Sequence, residues 1–600
     1  MKTRVLLASQ QIRGVDGTGG LGDVPVGLAK ELLFRGDADI RLIMPGFSII
    51  SGEKDHPELK DRFNLKNLVL HGLKVPFGGS TESVDVYRIK VPKTEIECYL
   101  LRCSGFDELN KEADLYATDS RGVPNKNTAP RAILFSRAVV EFLRQYKDFR
   151  VGVVHCNDWN TALIPVYLQT IYSDDPYLGR IATLYTTHNA GGEAYQGGFP
   201  LYGEYRLRRG SESLLILAGL EAHDVFQGGV TRSLHHKDRF NFTKGAFGFA
   251  DILNTVSHKY RKELLTSAFA DGLDEVLSVR NVDFAGIVNG IDVEEWDPAT
   301  DKYLDGVQYS TNDASSIVRE KKNGLRAALR NWQVPKDSGR YKKGDQPFLK
   351  LRDSSILLGV VSRIDYQKAP ILLGRIQNIG ESPIPPAPEE ELEWRNRNGV
   401  INPIEEMLAR NHDVQIVILG NANDLYGSRF VNLLHELRQQ LFEQVLFFEG
   451  FDIPLSHLIF AVSEIFLQPS LFEPAGLTQQ YAMRYGALPV VRAVGGLDDT
   501  VVDNSDANRV DEATGFKFLE EDIPSTHMVN EKTAPAAFVT AVERSLRVFR
   551  SDPARWNQLM ANAMKRDASW AVPAQQYLRL YDEALRRNLG KAFFTRPLAA

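Results

Sequence analysis

Two basic residues in the second half of the chain follow a strongly apolar run and carry the clearest chemical signal. Arg363 and Lys368 stand in SRIDYQK, directly after SSILLGVVS. Open α/β sheets bind ligands at the carboxyl ends of their strands, so two cations at such a position suit a pyrophosphate. Fixed positive charge also stabilises the negative charge that builds on a departing diphosphate. The alternative is a pair of side chains that simply face solvent.

A carboxylate occupies a comparable position further along the chain. Glu473 stands in QPSLFEPAGLTQQ, between an apolar run and a probable helix. A carboxylate beside a sugar-binding loop binds hydroxyls or supports an oxocarbenium-like charge. Alternatively, Glu473 serves only as an acidic cap of the following helix.

A glycine-rich loop, GTGGLGDV at 17–24, follows the first apolar run and precedes a helical pattern, VPVGLAKELLFRG. Glycines let the backbone approach a ligand closely, and amides at a helix N-terminus offer donors to phosphate or sugar oxygens. The loop is not a Walker A motif, because no Gly-Lys-Ser/Thr follows. A tight structural turn explains the glycines equally well.

Short apolar runs that alternate with longer amphipathic stretches must position these residues. This alternation is typical of βαβ units on parallel sheets. The predicted strands cover residues 4–9, 39–45, 152–156, 181–188 and 251–257, and then 354–362, 414–420, 445–450 and 464–470. The sequence therefore predicts an α/β protein of two doubly wound halves, joined near 335–350. The proline-rich, acidic stretch 380–400 predicts a surface insertion in the second half.

Composition limits the function further. The chain has 600 residues, 43% of them hydrophobic and 25% charged, which predicts at least two globular domains. A net charge of −6 gives no basic surface large enough to suggest nucleic acid as the main partner. No apolar run approaches the ~20 residues of a membrane span, and no signal-peptide pattern is present. Three sparse cysteines predict buried thiols and a cytoplasmic location.

Several separated segments resemble, in order, those of the glycogen and starch synthase family. They are GTGGLGDV (17–24), HCNDWNTALIPVYL (155–168), TTHNAGGEAYQGGF (186–199), NFTKGAFGFADILNTVS (241–257), GIVNGIDVEEWDPATD (286–301), SRIDYQK and FEPAGLTQ. SWAVPAQQYLRLY (569–581) also resembles the family's final helix, which returns to the first domain. The resemblance thus covers nearly the whole length.

This resemblance implies a retaining glycosyltransferase of the GT-B fold, with two doubly wound Rossmann-like domains facing across a cleft. It assigns 1–335 to the acceptor side, 336–565 to the nucleotide-sugar side and 566–600 to the returning helical segment. The implied reaction transfers glucose from ADP-glucose, or UDP-glucose, to the 4-hydroxyl at the non-reducing end of an α-1,4-glucan. Domain closure would exclude water. The family implies no metal and no cofactor, and the oligomeric state stays open.

The resemblance also assigns roles to single residues. Arg363 and Lys368 match the residues that hold the donor phosphates, and Glu473 matches one close to the transferred glucose. His188 matches the active-site histidine near the reacting carbon, and Asp158 matches a sugar-contacting position. The further donor- or substrate-binding residues implied are Gly19, Gly20, Asn241, Phe451 (stacked on the base), Gly476, Leu477 and Thr478.

Each of these residues taken alone has a simpler explanation. His188 at a strand end is structural in many proteins, and Asp158 could cap the helix that follows it. Asn241 could hold a turn. Phe451 could pack in the core, where apolar aromatic residues usually lie.

Three departures from the family pattern leave other functions open. Gly17 replaces a lysine that helps to bind the donor phosphate, Ala475 replaces a cysteine of the elbow, and residues 190–193 lengthen the loop after His188. One alternative is a related retaining transferase with another sugar nucleotide or a small acceptor. The other is a catalytically inactive glucan-binding protein of the same fold.

Overall fold

The structure is a computed structural model. It describes residues 2–17, 20–48, 50–54, 56–110, 128–190, 198–200, 205–207, 210–220, 235–236, 239–332, 351–374, 402–422, 424–441, 443–519 and 533–594. The predictions that concern Gly19, residues 191–193, the junction at 335–350 and the insertion at 380–400 therefore lie outside the described residues.

Packing divides the chain into two compact units. The first, unit 1, comprises Met1–Gly290 and Ser569–Ala600, and the second, unit 2, comprises Ile291–Ala568. The units thus separate at Gly290 and not near 335, where the sequence analysis placed the boundary. The reason is that apolar side chains such as Leu304, Leu325 and Leu329 pack into the core of unit 2.

Unit 1 contains a nine-stranded sheet among its described residues. The strand order is β14-β13-β7-β6-β1-β2-β5-β4-β3. The first seven strands in this order pair in parallel, and β4 and β3 extend the sheet beyond β5 with antiparallel pairing. These strands are β1 Thr3–Ala8, β2 Ala38–Pro45, β3 Leu68–Phe77, β4 Ser80–Lys90, β5 Glu97–Arg102, β6 Val153–Asn157, β7 Ala182–Thr187, β13 Ile252–Thr255 and β14 Phe284–Gly286. Short strands form two further small sheets: β8 Gly198–Pro200, β9 Tyr205–Leu207, β10 Gly210–Glu212, β11 His235–His236 and β12 Arg239–Asn241.

Helices cover the parallel strands of unit 1, whose apolar side chains are buried on both faces, as is usual for such sheets. They are α1 Gly20–Arg35, α2 Ser104–Asn110, α3 Thr128–Gln145, α4 Leu163–Gln169, α5 Leu214–Ala218, α6 Phe242–Phe249, α7 His258–Glu263, α8 Ser267–Ala270 and α9 Asp274–Val279. Helix α1 confirms the helix predicted after the glycine-rich loop.

The last helix of the chain completes the core of unit 1. Trp570, Tyr577 and Tyr581 are buried there, the two tyrosines on this helix and Trp570 just before it. Gly27 of α1 is required at its position, because a Cβ there would lie 2.1 Å from the indole nitrogen of Trp570. The returning segment that the family resemblance predicted is thus an integral part of unit 1.

Unit 2 contains a six-stranded parallel sheet of order β17-β16-β15-β18-β19-β20. Its strands are β15 Ile356–Val361, β16 Val414–Gly420, β17 Val445–Glu449, β18 Ile465–Gln468, β19 Leu488–Arg492 and β20 Phe516–Phe518. The helices of this unit are α10 Ser315–Arg330, α11 Pro370–Leu373, α12 Pro403–Arg410, α13 Leu425–Gln440, α14 Ile453–Val462, α15 Thr478–Arg484, α16 Gly495–Thr500, α17 Ala534–Ser551 and α18 Pro553–Lys565. The returning helix, which belongs to unit 1, is α19 Ala571–Phe594.

Every strand predicted from the sequence is present within a few residues of its predicted bounds. The antiparallel pair β3 and β4, which extends the sheet of unit 1 at one edge, was not predicted from the sequence. Strands β5, β14, β19 and β20 and the short strands β8 to β12 were not predicted either. No helix in the described part of the chain has the length and apolar character that a bilayer crossing needs.

Candidate functional site

The sheet of unit 2 has a switch point where its strand order reverses. The sequence runs outward from β15 through β16 to β17 and then resumes on the other side of β15 with β18. Ligands of open α/β sheets bind at the carboxyl ends of the strands at such a point. Arg363 and Lys368 follow β15 and Glu473 follows β18, so the fold places all three at this crevice.

Lys368 and Glu473 form a direct ion pair there. The Lys368 ammonium contacts the Glu473 carboxylate and donates to the Ser470 hydroxyl at 3.2 Å. Gln468 Nε2 and Ser470 Oγ donate to the same carboxylate at 3.0 and 2.9 Å, and Gln367 Nε2 donates to its other oxygen at 3.2 Å. Both partners of the pair are largely buried. Glu473 is therefore held by four donors.

The charge on Glu473 is maintained inside the protein. Burial alone would raise the pKa of its carboxyl, but the Lys368 ammonium and the donated hydrogen bonds outweigh burial and lower the pKa below its ordinary value. The helix-capping alternative fails, because α15 has Leu477 at its N-cap and no side-chain cap bond. Glu473 instead anchors a cation.

Arg363 stands at the outer edge of the same crevice. Its guanidinium lies 3.4 Å from the Asp365 carboxylate, and 48% of its side chain is exposed. Burial raises the pKa of Asp365, and the nearby charges of Arg363 and Lys368 oppose that rise. Arg363 thus presents a solvent-accessible positive charge next to the buried pair.

The backbone of the elbow after β18 is fixed by close packing. The Gly496 amide donates to the Glu473 carbonyl at 2.8 Å. Gly495 has φ 43°, and a Cβ there would lie 2.0 Å from the same carbonyl oxygen. Gly476 has φ 66°, and the Thr478 hydroxyl donates to Gln468 Oε1 at 3.0 Å. Glycine is therefore needed at 495 to let the two loops meet.

Phe451 lies on the loop that leaves β17, two strands from β15 in the sheet. Its side chain is 46% exposed, so the alternative that it packs in the core is wrong. An exposed aromatic face at the carboxyl edge of an open α/β sheet can stack on a planar ring such as a base.

The strand ends of unit 1 bring a different set of residues together. His188 follows β7, and its Nε2 lies 2.9 Å from Asn157 Oδ1 at the end of the neighbouring β6. The His188 amide donates to Asp158 Oδ1 at 3.4 Å. Asn157 Nδ2 donates to the Ala8 carbonyl at 3.4 Å, so the Asn157 oxygen is the acceptor and His188 carries its proton on Nε2.

Both histidines at these strand ends are held neutral. Burial lowers the pKa of His188 to about 3. Burial, with a smaller contribution from His188, also lowers the pKa of His155 to about 3. His155 is fully buried and lies 3.0 Å from the Tyr581 hydroxyl and 2.8 Å from the Thr186 hydroxyl. His188 is therefore an uncharged, oriented imidazole at neutral pH.

Asp158 has a strained backbone. Its φ of 63° and ψ of 174° lie in a region that residues with a side chain rarely adopt. The residue is buried, and it begins the 3₁₀ turn Trp159–Thr161 without a side-chain cap bond, so the capping alternative is not supported. Strained positions of this kind cluster at functional sites.

Asn241 and Gly20 both stand at helix starts. The Asn241 side chain accepts from the Lys244 amide at 2.8 Å and so caps α6, which supports the structural explanation of this residue. Gly20 is the first residue of α1 and is exposed.

Several residues of these two clusters were not identified from the sequence. They are Gln367, Gln468 and Ser470 in unit 2, and Asn157, His155 and Thr186 in unit 1. Most of them stand within two residues of a predicted strand end, which was the available signal. Among the described residues, no group of three or more His, Cys, Asp or Glu side chains could hold a metal ion.

Comparison with known proteins gives a consistent result. A family model for the starch synthase catalytic domain matches residues 4–279. A glycogen synthase of Thermosipho melanesiensis is 31% identical over 98% of this chain and 100% of its own length. One of Moorella thermoacetica is 32% identical over 98% of each chain.

Two solved structures share the fold. The catalytic domain of starch synthase IV from Arabidopsis thaliana, bound to ADP and acarbose, matches with a TM-score of 0.72 at 24% identity, over 98% of this chain and 99% of that one. Sucrose-phosphate synthase from Thermosynechococcus elongatus matches with a TM-score of 0.50 at 16% identity, over 98% of this chain and 100% of that one.

Proposed function

The chain belongs to the glycogen synthase family, and from this premise we propose that it transfers glucose from ADP-glucose to the non-reducing end of an α-1,4-glucan with retention. It is a glycosyltransferase of the GT-B fold. The observation that carries the proposal is the buried Lys368–Glu473 pair at the switch point of unit 2, with Arg363 beside it. This arrangement suits a ligand with a diphosphate.

Lys368 is the residue proposed to stabilise the leaving diphosphate. An ammonium group has three N–H donors, and Ser470 and Glu473 take two of them. The third remains for a phosphate oxygen. Because the ammonium is held in a largely buried position, its charge acts on the developing diphosphate with little screening by water. Arg363 supplies a second charge from the rim.

Glu473 acts in this proposal through Lys368. Four donors occupy its carboxylate, which has room for about four hydrogen bonds. Its role is therefore to keep the ammonium in place and charged, while the elbow backbone that follows it borders the transferred glucose. Retention of configuration is taken from the family alone.

The residues of unit 1 are proposed to bind the glucose and the acceptor. A glucan is an uncharged polyol, and an uncharged imidazole such as that of His188 can hydrogen-bond hydroxyls without gathering counterions. The Asp158 carboxylate adds acceptors beside it. The glycine-rich loop at Gly20 is proposed to lie against the donor.

We propose ADP-glucose as the donor, ahead of UDP-glucose, because the structure of a related starch synthase was solved with bound ADP. Gly17 in place of the family's lysine favours a second candidate, transfer from a different sugar nucleotide. The proposed partners are thus a nucleotide sugar and an α-glucan, without a resident metal or cofactor. The cytoplasmic location stays a prediction.

The test is nucleotide release when the purified protein meets glycogen or maltooligosaccharides with ADP-glucose or UDP-glucose in parallel. We expect ADP release together with lengthened α-1,4 chains. Growth with UDP-glucose alone would reassign the donor. No nucleotide release with either donor, followed by turnover of another nucleotide sugar, would establish the second candidate. Glucan binding without turnover of any nucleotide sugar would contradict catalysis.

A further inference from the structure

A segment of unit 2 that lies outside the candidate site links two helices whose first residues lie at that site. We call residues 291–309 the brace. Helix α14 (Ile453–Val462) begins directly after Phe451, and helix α15 (Thr478–Arg484) begins directly after the elbow that contains Glu473. The brace contacts both helices one turn after their first residues.

A stack of three rings forms the first contact. The Trp296 indole of the brace lies parallel between the His457 imidazole of α14, at 4.0 Å, and the Tyr481 ring of α15, at 3.7 Å, with an interplanar angle of 12° on each side. The indole is almost fully buried. A rotation of either helix about its axis would break this stack, because the ring on that helix would move away from the indole.

The Asp301 carboxylate forms the second contact. One of its oxygens accepts from His457 Nδ1 at 2.8 Å and from the hydroxyl of Tyr485, the residue after α15, at 2.5 Å. Its other oxygen accepts from the Tyr303 amide at 2.8 Å. Burial would raise the pKa of Asp301, but His457 and these hydrogen bonds lower it, so the carboxylate stays charged.

Further bonds fix the far end of α15 to the same segment. The Tyr309 hydroxyl donates to the Tyr485 carbonyl at 2.9 Å, and Arg484 Nε donates to the Trp296 carbonyl at 3.3 Å. Buried Lys322 of α10 donates to the Tyr485 carbonyl as well, at 2.9 Å. The C-terminal end of α15 is thus bound from several directions, while its N-terminal end stays at the candidate site.

We propose that the brace positions the donor: Trp296 and Asp301 hold α14 and α15 in one mutual register and thereby fix the distance between Phe451 and Glu473. Trp296 and Asp301 touch no proposed ligand and act only through the two helices. The consequence for donor binding rests on the proposed function. The mechanical part, a link between α14 at His457 and α15 at Tyr481, does not depend on it.

The test compares Asp301→Asn with a matched control, Glu464→Gln. Asp301→Asn keeps the shape of the side chain and removes its charge. Glu464 is likewise a buried carboxylate of unit 2, and it accepts from Arg326 and from the Leu357 amide at 2.7 Å each. It stands just before β18, at the amino ends of the strands and therefore at the opposite edge of the sheet.

Amide hydrogen exchange on the ligand-free protein is the first readout. Asp301→Asn should speed exchange in the turns around His457 of α14 and Tyr481 of α15 by roughly tenfold, whereas Glu464→Gln should leave both turns unchanged. Exchange at wild-type rates in Asp301→Asn would overturn the proposal. Equal acceleration of both turns in Glu464→Gln would overturn it too, because the effect would then be general loosening.

Steady-state kinetics give the second readout. Asp301→Asn should raise the donor KM by roughly tenfold and leave the KM for maltooligosaccharide unchanged. Trp296→Leu should reproduce this change, and Trp296→Phe, which keeps a ring in the stack, should restore most of the affinity. An unchanged donor KM in an active Asp301→Asn enzyme would contradict the positioning role. A wild-type protein without turnover would count against the proposed function, and the exchange experiment would still decide on the brace.

Discussion

The two clusters of candidate residues differ in how they treat charge. In unit 2, burial surrounds an ion pair, and the pKa of Glu473 is lowered so that both partners stay charged. In unit 1, burial surrounds His155 and His188, and their pKa values of about 3 keep both uncharged. The difference shows that burial does not by itself decide whether a group is ionised. A buried group stays charged when a partner of opposite charge lies beside it, and becomes neutral when none does. One cluster suits an anionic diphosphate and the other an uncharged sugar.

Removal of the cation from the cluster of unit 2 should have the largest effect on activity. Lys368→Ala should lower kcat by roughly 10²- to 10³-fold, because the leaving diphosphate loses its fixed charge and Glu473 becomes an unpaired buried carboxylate. Nucleotide release with ADP-glucose and glycogen measures the loss. The control is Lys517→Ala, which breaks the 2.6 Å ion pair of Lys517 with Asp498 in the same unit and should change kcat little. A wild-type rate in Lys368→Ala would refute the assignment.

Asp158 tests whether strain in unit 1 serves activity. Asp158→Gly should stabilise the protein by about 1 kcal/mol, because relief of backbone strain exceeds the entropic cost of glycine. The same change should lower the rate by roughly tenfold or more, since the carboxylate is lost. Thermal unfolding and nucleotide release measure the two effects. Asp158→Asn keeps the strain and should give no stabilisation, and a gain equal to that of glycine would contradict strain as the cause.

Phe451 tests the proposed contact of unit 2 with the base of the donor. Phe451→Ala should raise the KM for ADP-glucose by about tenfold, because a stacked base loses its aromatic partner, while kcat changes less. Phe34 of α1, an exposed aromatic residue in unit 1, gives the matched control, and Phe34→Ala should leave both constants unchanged. An unaltered donor KM in Phe451→Ala would remove this residue from the site.

The uncharged histidines predict a modest pH dependence of stability. The unfolded chain binds a proton on each histidine near pH 6.5, whereas the folded protein does so only near pH 3. Stability should therefore fall as the pH decreases through this window, by at most about 1.4 kcal/mol per pH unit for each histidine.

His155→Gln, which cannot take up that proton, tests this dependence. The melting temperature of the variant should fall less between pH 7 and pH 5 than that of the wild-type protein. An identical fall in both proteins would show that His155 does not contribute to the acid sensitivity.

The strands and the residues at their ends could be predicted because both depend on the local sequence pattern. Arg363 and Lys368 follow β15 directly, and Glu473 follows β18 within a few residues. Their direct pairing could not be predicted, because Lys368 and Glu473 are 105 residues apart and meet only through the strand order. Pairings of this kind depend on topology and not on local pattern.

Other structural features could not be predicted from the local sequence. The positive φ of Asp158 depends on the surrounding loop, and aspartate is common in ordinary turns. The unit boundary at Gly290 depends on the burial of Trp296 and Leu304 in the core of unit 2, which the local sequence does not show. The hairpin of β3 and β4 lies outside all the segments that resemble the family.

The returning helix α19 has a consequence for synthesis on the ribosome. Residues 291–568 emerge before Trp570, Tyr577 and Tyr581, so unit 2 can reach its native state while the nascent chain is still growing. Unit 1 lacks part of its core until that helix has left the exit tunnel, and His155 lacks the Tyr581 hydroxyl until then. Unit 1, for which we propose the acceptor-binding role, is thus begun first and finished last.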